Sequence, residues 1–428
     1  MVELGGLPLA LDQAGAYIEE TQRSLQEYLD LYRVQRKDLL ARRGHMTGGY
    51  PASVATTWSL SFDRVEAVNP LAVELLRMCA FLAPDAIPED LLREGLSMAV
   101  SFSQRKRQGW GGWFSPLFSR HQPQLESAHL PVTEGMINDA VAILRAYSLI
   151  ARDADEKTMS LHRLVQVVVR DALPTDERIP WMRRAVIAVN RSFPRVDDVN
   201  QWATCERWLP HGLVCASWIE QAHLRVLEGT RVLNTMGCYL YLRGRYKEAE
   251  PLLMRALEIR EEQLGGRHPD TAGSLNNLAL LYQEQGKYAE AEPLLMRALE
   301  ICEEQLGGRH PDTAGSLNNL ALLYQEQGKY AEAEPLYQRA LAIREQILGP
   351  VHSDTATSLW SLAVVAQDKQ QYAEAEPLYR RALDIYEQTF GVDHLYTQRI
   401  LGHYASLLRA MGRENEATAL ENPGEPLA

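Results

Sequence analysis

The chain has 428 residues, with 44 lysines and arginines against 56 aspartates and glutamates, a formal charge of −12. Its 46% hydrophobic and 23% charged residues are those of a globular protein, which excludes wholesale disorder and collagen-like structure. The acidic balance argues against a bulk electrostatic grip on nucleic acid, because phosphate binding draws on a basic surface. At ~150 residues per domain the length suggests about three domains. Cys79, Cys205, Cys215, Cys238 and Cys302 are scattered, with no CxxC pair, so neither a disulfide framework nor a metal site is expected. The first residues lack a basic n-region, and no apolar run approaches the ~18 residues of a membrane span. The expectation is a soluble, cytoplasmic chain without stable membrane insertion.

Residues 1–48 read as a helical segment, opened by Gly6-Leu7-Pro8-Leu9-Ala10 and continuing to about Tyr32. Residues 49–178 contain apolar helical stretches, then short strands around Leu149–Arg152 and Thr158–Leu161, then the helix of Leu161-His162-Arg163-Leu164-Val165-Gln166. A helix followed by a two-stranded wing is winged-helix-like. The segment between the strands, RDADEKT, is acidic and would repel phosphate, so no nucleic-acid partner is expected; a nucleic-acid-binding regulator ranks third among the functions weighed. Residues 101–124 sets Arg105, Lys106 and Arg107 before Trp110, Trp113 and Phe114. It reads as an insertion between two elements of this module, with a membrane-surface or partner-docking loop as the alternative. Residues 179–228 read as linking helices, with Trp202, Trp208 and Trp218 as core residues of an incomplete first repeat.

Residues 229–428 repeat. Thr271, Thr313, Thr355 and Thr397 are spaced by 42 residues, as are Tyr246, Tyr288, Tyr330 and Tyr372. Glu250–Ala291 and Glu292–Ala333 are consecutive blocks that differ only at Arg260 against Cys302. Within a block, Leu275, Leu278, Ala279 and Tyr282 fall on one helical face, and Gly286 stops the helix. Ala291, Leu294, Leu295, Ala298 and Leu299 mark a second helix. His268-Pro269-Asp270 restarts the next unit, with proline at N1 and the aspartate at the positive helix end. Pro251, Pro293, Pro335 and Pro377 lie inside the second helices, where each should bend its helix. This gives about 4.5 units, the last degraded from Thr397 onward.

The series Leu278, Ala279, Tyr282, Gly286, Tyr288, Ala291, Leu295, Ala298 resembles the tetratricopeptide repeat, and its 42-residue period resembles the kinesin light chain variety. With the winged-helix-like module in front, the expectation is a mostly all-α chain: a small winged-helix module followed by a right-handed α-α superhelix whose groove, as the resemblance implies, is lined by the first helices. Groove positions would be Asn234, Asn276, Asn277, Gln283, Asn318, Asn319 and Gln325, with Trp360 as an aromatic anchor and Arg399 and His403 as anion contacts. Paired asparagines could hold the backbone of an extended peptide, each bond contributing roughly 0.5–1.5 kcal/mol. A bland alternative is that they satisfy neighbouring helix ends. The lysines and arginines of a carboxylate clamp are absent from the second and third units, so a terminal carboxylate is not the expected ligand.

The order GLPLA, LHRLVQ and repeats also resembles the back half of NB-ARC proteins, a class of STAND signalling NTPases. The resemblance makes Pro8 and His162 vestigial nucleotide contacts, with Arg163 standing where the family carries aspartate. No GxxxxGK[ST] loop occurs: Gly286-Lys287 and Gly328-Lys329 lie in repeats and precede tyrosine. The expectation is a non-enzymatic chain without cofactor that binds a protein or peptide. Its alternative is the sensor half of a STAND ATPase whose nucleotide-binding domain is missing or supplied by another chain, an ATPase module in trans.

Overall fold

A computed structural model describes residues 64–97, 132–196, 198–222 and 227–421, together with Ile18, 24–27, 29–30, Phe62 and Leu224. Pro8, the GLPLA segment and the 101–124 insertion lie outside the described residues. The chain divides into two compact units, residues 1–239 and 240–428.

In the first unit, Asn69 caps helix α1 (Pro70–Ala80) by accepting from the amides of Leu71 and Ala72, and proline takes N1. Its apolar face is wholly buried, with Leu75, Leu76 and Met78 at 0% exposure. There follow β1 (Ile87–Pro88), α2 (Glu89–Ser97), α3 (Glu134–Ala146), β2 (Ile150–Asp153), β3 (Thr158–Leu161), α4 (Arg163–Ala172), α5 (Thr175–Ser192) and α6 (Trp202–Gln221). The two expected strands pair antiparallel, Ile150 opposite Leu161 and Asp153 opposite Thr158. The two-residue β1 adds to the other edge of β3, Ile87 opposite Met159, so the sheet order is β1-β3-β2. Two residues carry no readable period, which is why the sequence concealed this strand.

The last carbonyls of α1 are met from afar. Gln166 donates to the carbonyls of Cys79 and Leu82 at 2.9 and 3.0 Å, Arg170 to Ala80 at 2.5 Å, and the Trp218 indole to Phe81 at 2.9 Å. Trp218 also packs edge-on against Phe81, ring centres 5.9 Å apart. Trp208 packs edge-on against Phe193. These two tryptophans therefore hold α6 within the first unit.

Helix α7 (Leu227–Leu242) crosses the division. The second unit continues with α8 (Tyr246–Leu264), α9 (Pro269–Glu284), α10 (Tyr288–Gln305), α11 (Pro311–Glu326), α12 (Tyr330–Ile347), α13 (Ser353–Asp368), α14 (Tyr372–Phe390), α15 (Leu395–Ala410) and the short α16 (Glu414–Glu421). These are tetratricopeptide-like helix pairs. Ala279, Ala291 and Leu295 are at 0% exposure and pack with Leu320 and Leu323 of the next first helix. Each second helix runs unbroken through its proline.

The periodic polar residues hold the turns. Nδ1 of His268, His310 and His352 accepts from the amides of Asp270, Asp312 and Asp354, each at 3.1 Å, so histidine is the N-cap. The buried threonine hydroxyls of Thr271, Thr313 and Thr355 donate to the carbonyls of Gly265, Gly307 and Gly349. Between repeats, Arg297, Arg339 and Arg381 pair with Glu261, Glu303 and Glu345 at 2.6–2.7 Å. Such solvent-accessible pairs contribute about 0–1 kcal/mol each and mainly fix register.

Candidate protein-binding face

The first helices α9, α11 and α13 bury one face among the second helices and leave the opposite one as the candidate binding face. Asn277, Asn319, Leu280 and Leu322 on that face are half-buried, and Glu284 and Glu326 are exposed.

Several expected groove residues point elsewhere. Gln283 is only 4% exposed, so it is a buried residue and not a ligand contact. Its equivalent Gln325 accepts from the Tyr337 hydroxyl at 3.0 Å, and Gln367 accepts from Tyr379 at 2.7 Å. Leucine stands at that place beside Gln283, namely Leu295, and Oε1 of Gln283 is left buried without a partner. Asn276 donates to Ser316 on the next first helix at 3.0 Å, and Oδ1 of both Asn276 and Asn318 is buried without a partner. These oxygens are buried, so Asn276 and Asn318 cannot both donate and accept toward a ligand; Asn277 and Asn319 are the half-buried amides on this face. Asn234 lies in the first unit, where it donates to Cys238 Sγ at 3.8 Å.

At the other end of the face the expected residues come together. Trp360 packs edge-on against His403, ring centres 5.4 Å apart, and Trp360 Nε1 is buried without a partner. Partial shielding of the ring from water, behind Trp360, pushes the His403 imidazole below its usual range, the Arg399 charge adds to this, and Asp368 opposes it. Gln325 donates to Asp368 at 3.4 Å, which joins the third unit to this group. Arg399 and His403 are both exposed.

The one substitution between the duplicated blocks has a visible effect. Arg260 donates to the Asp270 carbonyl and to Ser274 Oγ, and Arg344 does the same with Asp354 and Ser358. Cys302 keeps only a 3.5 Å contact with Ser316 Oγ. Burial raises the Cys302 thiol, which keeps it protonated and unreactive.

In the first unit, His162 Nδ1 accepts from the Leu164 amide at 3.2 Å and caps α4. The motif around it thus supplies a helix cap at His162 and carbonyl partners at Gln166 and Arg170. Among the described residues no group of histidine, cysteine and carboxylate side chains could hold a metal ion. No described helix is long and apolar enough to cross a membrane.

The chain carries tetratricopeptide repeats: the family model of that description matches residues 230–304, 270–346 and 354–422. A second family, a domain of unknown function (DUF7779), matches residues 63–178. A nucleotide-binding leucine-rich repeat (NLR)-like protein of Hyaloscypha variabilis is 33% identical over 288 residues, 64% of this chain and 25% of that protein. The chain therefore spans about a quarter of that relative's length. Among solved structures, BtubC (BKLC) from P. vanneervenii is 22% identical with a TM-score of 0.42, covering 53% of this chain and 90% of that one. A Podosopora anserina putative kinesin light chain with nearly identical TPR-like repeats is 28% identical with a TM-score of 0.38, covering 44% and 90%.

Proposed function

We propose that this chain is a protein-interaction scaffold whose repeats hold an extended peptide or protein segment along the face of their first helices. One observation carries the reading: Asn277 with Leu280 and Asn319 with Leu322 offer the same half-exposed amide and apolar pair, 42 residues apart. The test is affinity capture with the full chain against a variant carrying Asn277→Ala, Leu280→Ala, Asn319→Ala and Leu322→Ala. The variant should lose the captured proteins; recovery of the same set at the same yield sinks the reading. No catalytic role is assigned to any side chain.

A second reading is favoured by the Hyaloscypha relative, which is described as nucleotide-binding. In it, the chain is the regulatory half of a STAND-type assembly, and the nucleotide module is contributed by sequence outside these 428 residues. The order helix, strand, helix, helix, strand, strand in the first unit, with β1 beside β3, supports a winged-helix reading within residues 49–178. Purified chain should then show no ATP turnover by itself, and turnover above background would remove this division of labour.

A further inference from the structure

The binding face also carries one row of carboxylates at 42-residue spacing: Glu284, Glu326 and Asp368, each the last residue of its first helix. All three are exposed. An acid at a helix C-terminus lies at the negative end of the dipole and disfavours the helix. Several other repeating acids in this unit meet cations, as Glu261, Glu303 and Glu345 meet arginine and Glu334 and Glu376 meet Lys369 and Arg413, although Glu292 of that last series accepts from the Tyr324 hydroxyl.

The donors given to this row by hydrogen bonds are neutral. Tyr246 donates to Glu284 at 3.3 Å, Gln283 and Tyr288 bond Glu326, and Gln325 reaches Asp368. Although Glu326 is exposed, part of its carboxyl is shielded from water, which pushes it up, and the Glu284 charge adds to this. Gln283, buried beside the row with its amide on Glu326, leaves its own Oε1 without a donor. Among the described residues Glu284 and Glu326 thus meet no cation, whereas Asp368 faces the His403 imidazole.

Adjacent first helices approach closely enough for the Asn276–Ser316 bond, which places their axes about 8–10 Å apart. Extended backbone advances ~3.3 Å per residue, so one repeat corresponds to about three residues of ligand. Half-buried Leu280, Leu322 and Val364 repeat in the same register.

We propose that Glu284, Glu326 and Asp368 select the partner, taking an extended segment with lysine or arginine at about every third residue and apolar side chains between. This rests on the peptide-binding reading above.

Fluorescence anisotropy on the full chain tests it, with labelled peptides of repeated Lys-Leu-Asn, of repeated Glu-Leu-Asn, and of the first composition with its lysines gathered at one end. The evenly spaced lysine peptide should bind roughly tenfold tighter than either other, and added salt should weaken it. Changing Glu284→Gln, Glu326→Gln and Asp368→Asn together should abolish that preference while leaving the urea midpoint unchanged or raised. Equal binding of the glutamate peptide, equal binding of the gathered lysines, or an unaltered triple variant each overturns the assignment. If Leu280→Ala with Leu322→Ala still weakens the peptide when the triple variant does not, peptide binding survives and only the charge selection falls. If none of the peptides binds, both fall.

Discussion

The two units solve the same problem, the orphan groups at helix ends, by different means. The first unit closes the end of α1 with Gln166, Arg170 and Trp218, each used once and each far away in sequence. The repeats close their ends with neighbours: histidine two residues before an amide, threonine six residues after a glycine carbonyl, repeated at a fixed period. One-off long-range ties concentrate stability in single side chains, whereas repeated local ties spread it. Mutation should therefore be far more damaging in the first unit.

The largest expected effect is at Arg184. Its guanidinium meets Glu74 at 3.2 Å and the carbonyls of Gly95 and Leu96 at the end of α2, and it stacks on Trp181. Its side chain is 12% exposed, and burial outweighs Glu74 in lowering its pKa. Arg184→Met leaves two carbonyls without their partner and Glu74 with Arg77 alone, 3.4 Å away, so urea unfolding should report a loss of about 3–5 kcal/mol. A loss no greater than that of a repeat-interface pair such as Arg339→Met would erase the contrast.

His211 sharpens the comparison with pH. It is fully buried in α6, with Nε2 3.2 Å from the Ala86 carbonyl and Nδ1 without a partner. Burial holds the imidazole down to about 4, from 6.5, against the opposing pull of the Ala86 carbonyl and Asp85. The unfolded chain takes up a proton below pH 6.5 and the folded chain does not. Stability is therefore intact above pH 6.5 and falls as the pH drops from there toward 4, by about 3 kcal/mol. His211→Gln, which keeps an amide donor for Ala86, should flatten that slope in urea titrations at a series of pH values.

Within the repeats, Tyr337→Phe removes the donor to Gln325 and recreates what Leu295 already does beside Gln283. It should lower stability by about 1–2 kcal/mol, less than the Arg184 change. Combining it with Gln325→Leu should return part of that loss, since the unmet acceptor goes with the side chain. A cycle showing no coupling would remove the hydrogen bond from the account.

The same contrast explains what was legible in the sequence. A 42-residue period exposes every element of the repeats, because the residues that hold one turn recur where they hold the next. Even so, helical spacing misleads at Gln283: it places this residue outward on its own helix, and its burial comes from neighbours that no local period records. The histidine caps were also missed, though their constant place before Pro-Asp or Ser-Asp in three units was a usable signal. In the first unit the LHRLVQ segment stood out, but its work is done by Gln166 and Arg170 against carbonyls more than eighty residues earlier. No local pattern encodes such a partner, and a two-residue strand such as Ile87–Pro88 has no period at all.

The smallest effect tests the repeats against themselves. The residue two places before each second helix turns the chain with positive φ: Gly244 at 71°, Gly286 at 73°, Gly328 at 72° and Gly412 at 77°. In the fourth unit Gln370 takes this place at 60°, where a side chain is strained by about 1–2 kcal/mol. Glycine relieves that strain but gives the unfolded chain more freedom, which offsets about 0.5–1 kcal/mol. Gln370→Gly should therefore stabilise the protein by about 0.5–1 kcal/mol in urea unfolding. The same change cannot be made elsewhere in the row, but its reverse can: Gly328→Gln should lose a similar amount. Gly328 has open space where a Cβ would go, so the loss would come from backbone conformation alone. Opposite signs at two equivalent positions would show that the duplicated turns obey one rule, and equal signs would mean that neighbouring packing decides each turn separately.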